Sequence, residues 1–445
     1  MRSHRRTLSA LTLATCALSM GLAHAQVVTL KFMYWGSPDE KTAITNMVRQ
    51  FEASHPNIKI DAQHVPANYD TKMNTLVAAG QQPDVAYMTV NQAMLFGEQG
   101  KLLNFVPYYK KYADLADRLP ASYLYTSPTN SVGTRTALEM MTLYYNKDIF
   151  KAANIALPPA TAAKAWTWDQ FVQTAQKLTV DRQGHTANQA GFDPKNIKQY
   201  GVLFPTWYLG LAPFLSSNGA ELASQGGTKY ALNSPQSVEV FQKLQDLIYK
   251  YHVAPTPAQA QSLPATALQL QARQTAMAID GQWSLLNFAD TKGNFGMGVL
   301  PKFKKPVTVA FAAITTIFKN TKHPEEAMEF YRFHNNPQYV NLFAKGLWMP
   351  LEKKYYTDAK SIAAWTGNPA HPAEFRTAVV DYTLKNAMPN MFDYYKNMQR
   401  IDSVLSAGLD GIWQGKQTAK QALDALAPQI QPLLQGQYPQ LTPSK

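Results

Sequence analysis

The stretch Val27–Val65, "VVTLKFMYWGSPDEKTAITNMVRQFEASHPNIKIDAQHV", reads as a strand, a helix and a second strand in succession. Val27 to Trp35 is rich in β-branched and aromatic residues, as strands prefer, and Gly36-Ser37-Pro38 ends it. Ile44, Met47, Val48 and Phe51 then recur at helical spacing. Asp39 and Glu40 fall in the first turn of that helix, where the dipole favours anions. Asn57 to Val65 gives the second strand, Tyr69 to Gly80 a second helix stopped by glycine, and Pro83 to Val90 a third strand. This βαβαβ order predicts an α/β fold with a mostly parallel sheet flanked by helices.

Open sheets of this kind bind ligands beyond the carboxyl ends of their strands. The residues that follow each strand are therefore the first candidates: Trp35-Gly36-Ser37 after the first, and Met88 to Asn91 after the third. The same logic applies to "TAMAIDGQWSLLNF", Thr275–Phe288. If "TAMAID" is a strand, Gly281 turns the chain and sets Trp283 at the sheet rim, facing a cleft.

Elsewhere helices dominate. "TWDQFVQTAQKLT" opens with Thr167 and carries Gln170 three residues on, a capping box. "SPQSVEVFQKLQDLIYKY" and "HPEEAMEFYRFHNN" each start with proline near the first helical position. "QTAKQALDALAPQIQPLL" reads as a polar-faced helix, and "VDRQGHTANQAGFDPKN" as a surface hairpin or loop with too few carboxylates for calcium.

The chain has 445 residues, too many for one ordinary core, and is 46% apolar, so two packed domains are expected. Residues 1–25 read as a cleaved export signal: Arg2, Arg5 and Arg6, an apolar run from Leu8 to Leu22, then Ala23-His24-Ala25. The single cysteine, Cys16, lies in that run, and lipid anchoring there is not expected because Thr15 fits a lipobox poorly. The mature chain then has no thiol for a disulfide, a nucleophile or a metal. The expected location is the periplasm, with no membrane span of the chain's own. The formal charge of +12 falls by three with the leader, and the remaining Lys and Arg are scattered, so no nucleic-acid partner is indicated.

Enzyme signatures are missing. There is no HExxH, GxSxG, P-loop or GxGxxG, and the nine histidines are never paired at metal-ligand spacing, so neither metal nor cofactor is expected. A carboxylate pair for glycoside chemistry is left open, because two acids can come from anywhere in a chain.

Ten stretches in order carry a family likeness: "LKFMYWG", "FEASHPNIKI", "AAGQQPDVAYM", "LEMMTLYYNKDIF", "WTWDQF", "YGVLFPTWYLGLAPFLSSNGAEL", "AMAIDGQWSL", "GMGVLPKF", "TKHPEEAMEFYRF" and "GLWMP". Nearly the whole mature chain resembles the extracellular solute-binding proteins of ABC importers, in the carbohydrate-binding family that includes the maltose-binding protein. The resemblance implies a two-lobed periplasmic-binding-protein fold, each lobe a mostly parallel sheet flanked by helices, with the ligand cleft at the hinge. Matching landmarks puts residues 26–134 plus 302–335 in the N-terminal lobe and 135–301 plus 336–445 in the C-terminal lobe. The crossings then fall near Gly133–Leu138 and Val299–Pro301. The implied role is that of a monomer capturing a sugar by lobe closure and delivering it to the membrane permease.

Residue by residue, the resemblance puts Glu139 and Asn91 at positions that hydrogen-bond ligand hydroxyls. It puts Trp283 at the principal stacking position, Trp207 at a second aromatic, and Trp348-Met349 on a loop bordering the cleft. Trp35 and Ser37 join them from the first strand end. Arg135 pairs with Glu139 or recognises an anionic substituent. Trp166, Trp168, Trp365 and Trp413 read as packing, and Asp84 as an anchor for its own strand. Two alternatives stand beside the sugar reading: a receptor for an anionic polyol or glycerophosphodiester, and a secreted glycoside-acting enzyme.

Overall fold

The computed structural model describes residues 27–288, 293–368 and 371–443; the expected leader and Cys16 lie outside them. Strand β1 (Val28–Tyr34) buries Leu30, Phe32, Met33 and Tyr34 and runs parallel to β2 (Ile58–His64) and β3 (Val85–Met88). The strand Ile314–Ile317 adds antiparallel to β3, giving the order Ile314–Ile317, β3, β1, β2.

Helix α1 (Pro38–Ser54) turns Ala43, Ile44, Met47, Val48 and Phe51 inward, the face its apolar spacing predicts. Phe51 meets Phe330 of the helix Pro324–His334 edge-on at 5.2 Å. Each such buried side chain is worth about 1.5–3 kcal/mol. Helix α2 (Tyr69–Ala78) holds the Tyr69 hydroxyl 2.8 Å from the carbonyls of Met33 and Tyr87, joining β1 to β3. Helix α3 (Val90–Glu98) leaves β3 directly and is capped by Thr89. Asp84 accepts from the Lys31 amide at 2.8 Å and the Thr321 hydroxyl at 2.6 Å, so it anchors its strand.

The second sheet holds β4 (Met141–Asn146), β5 (Ile197–Leu203), β6 (Thr275–Gly281) and β7 (Phe295–Gly298), in the order β7, β4, β6, β5, with Val180–Asp181 at the edge. β5 and β6 are parallel and the other pairs antiparallel. The mixed pattern has a simple cause. β4 leaves the cleft and β6 runs into it, so Gly281 pairs with Met141. Met141, Leu143 and Tyr145 face one core with Trp168, Phe171 and Phe241, while Tyr144 points the other way and stacks on Phe288 at 4.6 Å. The capping box forms, with Thr167 opening the helix Trp168–Leu178. In the polar excursion after it, the Asp181 carboxylate accepts from the amides of Gln183, His185 and Asp193, so it scaffolds a turn.

Two of the connectors between the lobes run side by side. Residues 135–139 run antiparallel to residues 311–314, with Phe311 N donating to Glu139 O and Thr136 N to Ala313 O, each at 2.8 Å. The first of these connectors covers residues 135–139. The second falls at 311–313, not at 299–301, because Val307, Val309 and Phe311 carry residues 302–311 into the second core. Residues 336–353 also depart from the expected boundaries. They remain against the first lobe, where Leu119 N donates to Leu351 O at 2.8 Å and the backbones of Arg118 and Glu352 pair antiparallel. At the flank of the cleft, Glu98 ends α3 opposite Lys396 and Tyr438. Among the described residues, no helix is long and apolar enough to cross a membrane.

Candidate functional site

The carboxyl ends of β1, β3 and β6 open onto one cavity of about 320 Å³ between the lobes. The first lobe contributes Trp35, Glu40 and Asn91, and the second Trp207 and Trp283. The connectors contribute Arg135, Glu139 and Phe311, and a later segment Trp348, Asn390 and Asp393.

The aromatic walls are held by their neighbours. Trp35 sits edge-on against Tyr69 at 4.8 Å and Tyr87 at 5.4 Å. Trp283, in the short helical turn Gln282–Ser284, meets Phe311 edge-on at 6.2 Å. Its indole also lies over Gly281, where an added Cβ would come within 2.1 Å of the ring, so only glycine fits beneath it. Trp207 is 44% exposed, with its ring 6.0 Å from Phe311. Phe311 thus stands between two indoles.

Gln282 braces this wall. Its amide donates to the carbonyls of Gly346 and Leu347 at 2.7 Å each, and its oxygen accepts from the Met140 amide at 3.2 Å. These bonds bring Trp348 to the cavity, although its ring is largely buried against His334 and Phe343.

Asn91, at the start of α3, lines the cavity with its side-chain oxygen buried and unpartnered among the described residues. Such an acceptor is costly to leave without a donor. Glu139 carries a carboxyl pushed up to about 8, first by desolvation and then by the charge of Glu40, with Arg135 opposing. Glu40 is raised by desolvation too, against the hydrogen bonds from Ser37.

Three expected site residues are placed differently from the reading of the sequence. Ser37 does not line the cavity. Its hydroxyl accepts from the Glu40 amide and caps α1, and the Glu40 carboxylate accepts from the Ser37 amide at 2.7 Å. Met349 is fully buried in the core and its backbone pairs with Leu138, because the loop's alternation turns Trp348 toward the cavity and Met349 away from it. Arg135 pairs with Asp393 and not with Glu139. Trp168, Trp365 and Trp413 are buried in packing, as expected.

Sequence reasoning missed Glu40, Phe311, Asn390 and Asp393. Glu40 had a legible signal, the third residue of a capped helix after a strand end. Asp393 had none, since 258 residues separate it from Arg135. Among the described residues, no group of three His, Cys, Asp or Glu is arranged to hold a metal.

Residues 35–341 match the family model of the bacterial extracellular solute-binding proteins. The chain belongs to that family. Among its curated relatives, this solute-binding protein is 24% identical over 367 residues to an sn-glycerol-3-phosphate-binding periplasmic protein of Agrobacterium fabrum, covering 78% of this chain and 74% of that one. A stretch of 187 residues, 39% of the chain, is 28% identical to an uncharacterized lipoprotein of Streptomyces antibioticus and spans only 38% of it. In fold, the solute-binding protein is similar to an ABC substrate-binding protein from Listeria monocytogenes in complex with cycloalternan. The TM-score there is 0.74 at 22% identity, over 91% of this chain and 98% of that one. It is also similar to a maltose-bound protein of T. maritima, with a TM-score of 0.73 at 19% identity over 92% and 100% of the two chains. Both are two-lobed, as is this molecule.

Proposed function

We propose that this solute-binding protein is the periplasmic receptor of an ABC importer and captures a sugar or oligosaccharide between its lobes. One observation carries the reading: a single cavity joins indoles from both lobes with the unpartnered side-chain oxygen of Asn91 and the desolvated carboxyl of Glu139. A sugar ring offers an apolar C–H face and a rim of hydroxyls, which match a flat aromatic below and planar acceptors around it. Two or three such platforms plus the acceptors amount to roughly 8 kcal/mol, or micromolar binding, after ordering costs. Ligand then favours the closed form by contacting both lobes at once, and the permease engages that form. The protein works as a monomer and performs no covalent chemistry.

The names of the solved neighbours, bound to cycloalternan and to maltose, support a sugar. The name of the Agrobacterium relative favours a glycerophosphate instead. Intrinsic tryptophan fluorescence and thermal shift against mono-, di- and oligosaccharides and glycerophosphates test the reading. A saccharide that shifts both signals, without being turned over, supports it. No response to any saccharide, or multiple turnovers of a glycoside, refutes it.

A further inference from the structure

We infer that the cleft takes a saccharide bearing no anionic group, and that Asp393 sets this selectivity by cancelling the charge of Arg135. The inference rests on the sugar-binding reading above and narrows it. The Asp, Glu, Lys and Arg side chains lining the cavity are Glu40, Glu139, Asp393 and Arg135, so one cation stands against three carboxyl groups.

That cation is already committed. Arg135 donates from Nε to Ala121 O and from Nη1 to Ala312 O, each at 3.1 Å, and from Nη2 to Asp393. The pair is buried, with side-chain exposures of 1% and 9%. A phosphate or carboxylate reaching Arg135 must displace Asp393 and leave it buried and unpaired, which is strongly unfavourable. Glu40 meets the same anion with like charge in a poorly solvated space. A hydroxyl meets no such barrier. It donates to the open oxygen of Asn91 and pairs with the Glu139 carboxyl, while the sugar ring stacks on the indoles. Asp393 thus acts through Arg135 and is a positioning residue for charge selectivity.

The test is isothermal titration calorimetry of the full chain with maltose and maltotriose, with sn-glycerol 3-phosphate, and with a uronic-acid disaccharide. The parent, Asp393→Asn and the double variant Arg135→Gln/Asp393→Asn are compared. The readout is the ratio of anionic to neutral affinity. In the parent, neutral ligands bind more tightly by roughly ten-fold or more. Asp393→Asn frees the guanidinium, and the ratio moves toward the anion by roughly ten-fold or more. The double variant leaves no lone buried charge, so it folds if the single variant fails to, and its ratio returns to that of the parent. An anion bound by the parent as tightly as a neutral sugar overturns the inference but leaves a binding protein. So does an unchanged ratio in Asp393→Asn. If no ligand of the panel binds the parent, the sugar reading itself falls, and the inference with it.

Discussion

Lys396 Nζ lies 3.4 Å from Glu98 Oε1, and the Tyr438 hydroxyl donates to the other oxygen of that carboxylate at 3.0 Å. Glu98 closes α3 in the first lobe, while Lys396 stands just ahead of the second-lobe helix Met398–Trp413, so the contact spans the flank of the cleft. The two side chains are partly exposed, and a pair of this kind is worth about 0.2–1 kcal/mol. Glu98→Ala is expected to favour lobe opening and to weaken ligand affinity by roughly two- to five-fold. Small-angle scattering and calorimetry check it: an unchanged radius of gyration and Kd would show that the pair latches nothing.

Trp283→Ala removes the indole that lines the cavity from the end of β6. Saccharide affinity should fall by about 2–4 kcal/mol, the range of a buried aromatic anchor. The ring is only partly buried, so the melting temperature should fall by only a few degrees. A variant that binds like the parent would remove Trp283 from the site.

Gln282 is fully buried and satisfies the carbonyls of Gly346 and Leu347 and the amide of Met140. Gln282→Leu leaves all three without that partner. A loss on the order of 3 kcal/mol in denaturant unfolding is expected. Hydrogen exchange should quicken at residues 345–349, and equal protection in the two proteins would count against the brace.

Glu139 sets a pH dependence. Its folded pKa, about 8, lies above its ordinary 4.5, so the folded chain holds this proton more tightly than the unfolded chain. Its contribution to stability is complete below about pH 4.5 and is lost as the pH rises through about 8. Glu139→Gln removes the ionisation, so its melting temperature should gain on that of the parent between pH 5 and pH 8, by roughly 1–3 kcal/mol in stability. Parallel pH profiles for the two proteins would show that Glu139 is not held protonated.

Much of the first lobe was legible because its elements are local. Periodicity in Ile44, Met47, Val48 and Phe51 is enough to orient α1, and Gly36-Ser37-Pro38 marks where β1 stops. The indoles of Trp35 and Trp283 were legible for the same reason, since each follows a strand end. Residues 302–311 were harder, because Val307, Val309 and Phe311 suit either core and only the pairing of Thr308–Ala310 with Ala387–Pro389 decides between them. The Arg135–Asp393 pair and the antiparallel entry of β4 depend on contacts between distant parts of the chain, which no local pattern encodes.

The missing side chain at Gly281 has a consequence for how the molecule recognises anything. The Trp283 ring rests on bare backbone below and is fixed at its edge by Phe311, so it acts as an anvil whose position is set before a guest arrives. Little rotamer entropy remains to be lost when a ring settles on it. Affinity then varies mainly with how far the opposite half swings in to meet the guest, and a guest without a flat face cannot recruit the indole by asking it to turn.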